Sequence, residues 1–96
     1  MDIFSGLEWD DGNRAKCATH GVSIEEVETM FAGEPRFSPD EVHSIVEQRF
    51  LATGRTAAGR ALLVVFTIRD RADGRYVRPI SARYMHAKEA ARYGQA

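Results

Sequence analysis

The chain holds 96 residues, 44% of them hydrophobic, and its 13 basic and 14 acidic side chains give a formal net charge of -1. A chain of this length buries one core and little more, so a single domain over residues 1–96 is expected, and the ordinary hydrophobic share excludes wholesale disorder. No apolar run approaches the ~20 residues of a membrane span. The opening Met1-Asp2-Ile3-Phe4-Ser5 lacks the basic and apolar regions of a secretion signal, and the lone Cys17 excludes an internal disulfide, so a cytoplasmic location with no membrane partner is expected.

Residues 3–9 read as a short strand weakened by Gly6, and Asp10-Asp11-Gly12 as a turn that caps a helix over about residues 13–19. His20-Gly21 suits the end of that helix. Ser23 and Glu26 fit a capping box, and Ile24, Val27, Met30 and Phe31 form an apolar stripe that ends near Gly33. Residues 34–40, with Pro35 and Pro39, read as a loop. Residues 45–52 read as a strand and residues 54–59 as a turn. The apolar run 61–68 predicts a central strand buried on both faces. Asp70 to Gly74 predicts a hairpin turn, and residues 75–82 a returning strand in which Pro79 marks an edge or a bulge. Residues 85–93 predict a terminal helix. The expected fold is α+β, an antiparallel sheet of three to four strands with two N-terminal helices and one C-terminal helix, all packed on one face.

The charge is divided along the chain. Residues 1–48 hold 11 acidic and 3 basic side chains, and residues 49–96 hold 3 acidic and 10 basic. Nine of the 11 arginines lie in the second half, and the guanidinium fork suits phosphate. Strand alternation places Glu47, Arg49 and Leu51 on one face. It places Leu63, Val65, Thr67 and Arg69 on another, and Arg75, Val77, Ser81 and Arg83 on a third, with the register open at Pro79. Where these faces coincide, Glu47, Arg49, Arg69 and Arg83 converge, and Arg60 borders them. The alternative is separate faces, solvated or paired with the acidic half. Lys16 and His20 lie one helical turn apart and offer two donors to a phosphate, or else are an exposed charge and a C-terminal cap. Cys17 and His20 have the spacing of two metal ligands, but no second pair completes a site, so no metal is expected. No phosphate-cradling glycine loop, dinucleotide fingerprint or nucleophile elbow is present, and no cofactor is expected.

The blocks Glu8-Trp9-Asp10-Asp11-Gly12-Asn13, Lys16 and His20-Gly21-Val22-Ser23 resemble the opening of the BrnT toxins. So do Glu47-x-Arg49, Gly54, Gly59-Arg60-x-Leu62, Thr67-x-Arg69 and Ile80-Ser81-Ala82-Arg83-Tyr84-Met85. The chain departs from the family pattern at Cys17, Thr19 and Pro79. The resemblance implies a RelE-like fold and a ribonuclease that inhibits translation. It also implies neutralisation by a ribbon–helix–helix antitoxin similar to BrnA, with operator DNA bound only through that partner. Metal-independent cleavage of an RNA substrate needs a base, cations for the phosphorane and an acid. Glu47 or His20 is the expected base, and Arg49, Arg60, Arg69 and Arg83 the expected cations. Lys16, Tyr93 or a protonated His20 would serve as acid or RNA contact. The alternative is a non-catalytic module that assembles with a DNA-binding antitoxin to regulate transcription.

Overall fold

A computed structural model describes residues 3–43 and 46–94. In chain order the elements are β1 (Gly6–Leu7), α1 (Asp11–Ala18), α2 (Ile24–Ala32), β2 (Arg36–Pro39), a 3-10 turn (Glu41–His43), β3 (Phe50–Arg55), β4 (Ala61–Arg71), β5 (Gly74–Tyr84) and α3 (Ala87–Arg92). They form an α+β fold whose five strands lie in the order β1-β5-β4-β3-β2. No helix among the described residues is long and apolar enough to cross a membrane.

Local chemistry sets the helix boundaries. Asp10 caps α1 by accepting from the Asn13 backbone N–H, while the Asn13 side chain accepts from the Asp10 N–H. Ser23 and Glu26 exchange the same pair of bonds at the start of α2. Gly21 turns the chain between the helices at φ 80°, a conformation that favours glycine.

The continuous apolar run of β4 occupies the middle of the sheet. Its even residues Leu62, Val64 and Phe66 face α1 and α2 and join Val22, Val27, Met30, Phe31 and Val77 in the main core. Its odd residues face the other side. There Ala61 and Leu63 pack with Met85 and Ala90, flanked by Leu51, Val65 and Tyr93. The terminal helix therefore lies on the opposite face from α1 and α2, and the expectation of helices on one face is corrected. A strand buried on both sides leaves apolar surface for a helix on each.

The sheet is also larger than expected. Residues 36–39, read as loop, form the edge strand β2 and pair with β3 from Arg36↔Thr53 to Pro39↔Phe50. An edge strand tolerates proline because one row of donors is unused. β1 runs parallel to β5, Gly6 opposite Tyr76 and Leu7 opposite Val77, so the sheet is mixed rather than antiparallel. β3 begins at Phe50; the expected start at Ile45 lies outside the described residues.

Pro79 does mark a bulge. Val65 pairs with Ser81 and Phe66 with Pro79, which leaves Ile80 as the extra residue. The extra residue reverses the alternation. Arg78 pairs with Thr67 and Tyr76 with Arg69, so these share the α3 face with Ser81 and Arg83. Val77 turns instead into the main core, and the expected grouping of Arg75 and Val77 with Ser81 and Arg83 is corrected.

Candidate active site

Upstream of the bulge, the α3 face of the sheet is not covered by the helix. Its floor is built by the end of β4 and the segment leading into β3. The Asp40 N–H donates to the Arg49 carbonyl at 2.9 Å, and the buried Thr67 hydroxyl donates to the Gln48 carbonyl at 2.9 Å. The first bond ties Arg49 to the end of β2, and the second holds the segment 47–49 against β4. The Glu47 carboxylate then accepts from Arg69 Nη1 at 2.9 Å, with both side chains about one-third exposed.

A concavity of about 390 Å³ opens at this place. Glu47, Arg49, Arg69 and Arg78 line it from the sheet side, and Lys16 lines it from α1. Four cations thus surround one carboxylate. The neighbouring lining of Gly12, Asn13 and Pro79 is where α1 meets β5.

Asn13 makes that junction. Its Nδ2 donates to the Glu8 carbonyl and to the Pro79 carbonyl, both at 2.9 Å, and the residue is 5% exposed. With the bond that its Oδ1 accepts from the Asp10 N–H, both polar atoms of the Asn13 amide are used. The side chain fastens the first turn of α1 to the bulge, and Lys16, one turn on, lines the same concavity as Arg78.

Arg78 is held from behind. Its Nη2 donates to Asp10 Oδ2 at 2.7 Å, and its Nη1 lies 3.5 Å from Glu8 Oε1. Arg71 donates twice to the same Glu8, at 2.8 and 2.6 Å. Asp10 is held below the usual carboxylate range, first by the Asn13 N–H and then by Arg78. Glu8 is lowered chiefly by its bond from Arg71. Sequence reasoning missed Arg78 and Asn13 as parts of the site. The signal was the proline at 79, whose bulge decides which arginine of β5 faces the concavity.

The other expected residues lie elsewhere. Arg83 is on the same sheet face but at the Leu63 rung, six residues along β4 from Arg69, or ~20 Å. It donates to Glu89 at 2.6 and 2.7 Å, which raises the guanidinium pKa and lowers that of Glu89. Arg60 stacks on the Tyr84 ring, 3.4 Å from its centroid. The Tyr84 hydroxyl donates to Glu26 at 2.7 Å, and Glu26 is lowered first by the Ser23 N–H and then by this bond. His20 is exposed in the turn after α1, and Tyr93 ends α3. Neither lines the concavity.

Cys17 is buried in the main core at 1% exposure, and desolvation pushes its thiol up to about 11. It packs as a small apolar residue while His20 faces solvent, so the two do not form half of a metal site. Among the described residues, no three His, Cys, Asp or Glu side chains gather as a metal set.

No curated protein matches the chain. Residues 9–89 match a protein family described as the ribonuclease toxin BrnT of type II toxin–antitoxin systems. The matched span contains Asn13, Lys16, Glu47, Arg49, Arg69 and Arg78. The chain therefore belongs to the BrnT family of ribonuclease toxins.

Proposed function

We propose that RNA is cleaved in the concavity between α1 and the β4–β5 face, by attack of a ribose 2′-hydroxyl on the adjacent phosphate. The observation that carries this reading is the carboxylate of Glu47, 2.9 Å from Arg69, inside a ring completed by Arg49, Arg78 and Lys16. The phosphate takes the Arg69 fork and frees Glu47 to accept the hydroxyl proton. The O2′–P bond forms as the P–O5′ bond breaks. Arg49, Arg69 and Arg78 carry the charge of the phosphorane, and Lys16 supplies a proton to the leaving oxygen. The products are a 2′,3′-cyclic phosphate and a 5′-hydroxyl, and no metal ion is needed.

The same reading makes this RelE-like toxin an inhibitor of translation. A BrnA-like ribbon–helix–helix antitoxin would neutralise it, and operator DNA would be reached only through that partner. Several cations on one surface attract an acidic protein segment as readily as RNA, so antitoxin and substrate compete for it.

The test is labelled RNA incubated with purified chain in chelator, beside the same RNA carrying one 2′-deoxyribose at the cleaved position. Cleavage of the first and not the second, with a cyclic phosphate end, supports the reading. Cleavage of both, or loss of activity on chelation, overturns it. Tight RNA binding without cleavage supports a non-catalytic module instead.

A further inference from the structure

Arg69, Arg71, Arg75, Arg78 and Arg83 each meet a carboxylate. Arg36 and Arg92 form no ion pair among the described residues, yet they line one concavity of about 330 Å³ between β2 and the end of α3. Ser38, Thr53, Tyr93 and Gly94 also line it, and among the described residues no acidic side chain does. Glu89, one turn before Arg92, is already committed to Arg83, although its field and that of Arg92 interact.

The place is held by both elements. Gly94 adopts φ +75°, and a β-carbon there would stand 3.2 Å from the Arg36 Cζ, so the guanidinium rests against the end of α3. Arg36, Thr53, Leu63 and Arg83 occupy one rung across the sheet, on the face that carries Arg69. Arg36 thus lies two strands sideways and six residues along from Arg69, a Cα separation of ~20 Å. Two guanidiniums with no ion pair among the described residues repel each other unless an anion sits between them.

We propose that this concavity is a second phosphate subsite, which takes the backbone of the same RNA strand several nucleotides from the cut bond. This rests on the cleavage site described above. An RNA strand lying on this face meets Arg69 and Arg49 beside the start of β3, then the Arg36–Arg92 pair past Tyr93. The hydroxyl of Ser38 and the ring of Tyr93 offer a ribose or base further contacts. The chemistry recognised is a phosphodiester, with no sequence preference from the arginines themselves.

The experiment measures binding of 2′-O-methyl oligoribonucleotides, which cannot be cut, in a short form and a form long enough to span both sites. Affinity is followed against salt for the parent, Arg36→Gln/Arg92→Gln and Arg69→Gln. The parent is expected to bind the long form more tightly. In the double variant this length-dependent gain collapses, and the slope of log affinity against log salt on the long form falls by about 1.4, for two single-strand phosphate contacts. Arg69→Gln weakens both lengths. If the double variant keeps the gain and the slope while Arg69→Gln weakens binding, the subsite is overturned and the cleavage site stands. If Arg69→Gln weakens neither length, the cleavage site itself is misplaced. Loss of antitoxin binding with RNA binding intact also overturns the subsite, and makes the pair a protein contact.

Discussion

Arg83 and Glu89 share two hydrogen bonds of 2.6 and 2.7 Å, and this pair ties β5 to α3. The Arg83 side chain is 44% exposed and that of Glu89 15%, so solvent screens the attraction in part. The pair sits beside the cluster of Ala61, Leu63, Met85 and Ala90. Arg83 therefore anchors α3, six residues along the sheet from the rung of Arg69.

Arg83→Ala and Glu89→Ala should lower stability by similar amounts, and the double variant should add little. The expected coupling is about 1 kcal/mol, read from denaturant unfolding of the four proteins. Cleavage by Arg83→Ala should fall much less than cleavage by Arg69→Ala.

Asn13→Ala removes the three bonds of a buried side-chain amide and leaves the carbonyls of Glu8 and Pro79 without that donor. A loss of about 2–3 kcal/mol is expected, measured as a shift in the urea midpoint. Asn13→Asp should not rescue, because a carboxylate cannot donate to those carbonyls.

Thr67 positions residues 47–49 through its bond to the Gln48 carbonyl. Thr67→Val keeps the shape and removes the donor. The cleavage rate at saturating RNA should fall by about 10- to 100-fold, as for a misplaced reacting group, with little change in KM. Thr67→Ser should recover most of it. Parent rate in Thr67→Val with a loss in Thr67→Ser would mean that the methyl group, not the hydroxyl, matters.

Much of this architecture is legible in the residues. Asp10, Gly21, Ser23 and Glu26 act locally, so their roles at helix ends can be read from spacing alone. The apolar run of β4 announces its central place. The edge strand β2 is not legible because its pairing with β3 is long-range, and Pro39 within it and Pro35 before it imitate a loop. The face taken by α3 depends on which side of β4 is left bare, a property of the assembled sheet. In the site, alternation places Glu47 with Arg49 on one face and leaves open whether the face of Arg69 coincides with it. It missed Arg78 because one extra residue at Ile80 reverses every side chain before it.

Acid should unfold this protein by a defined route. Glu8, Glu26 and Glu89 lie below their ordinary value of 4.5, and Asp10 below 3.8, through bonds to Arg71, the Ser23 N–H, Arg83 and the Asn13 N–H respectively. A lowered carboxylate stabilises the fold above its unfolded pKa, and that stability is lost as pH falls through the folded one. Thermal stability should thus stay level at mildly acidic pH and fall as these groups take up protons. Glu89→Gln should reduce the slope of that fall. Tyr84, raised above 10.0 by its bond to Glu26, acts in the opposite sense, and its share is lost as pH rises past its folded value.

The most direct test of the cleavage site is the single-turnover rate on labelled RNA in chelator, for Glu47→Gln and Arg69→Ala beside the parent. Both variants should remain folded, because the pair is one-third exposed. Each variant is expected to lose about 10²–10³ in rate, as when a preorganised catalytic group is removed. Folded variants that cleave at the parent rate would contradict the assignment of this site.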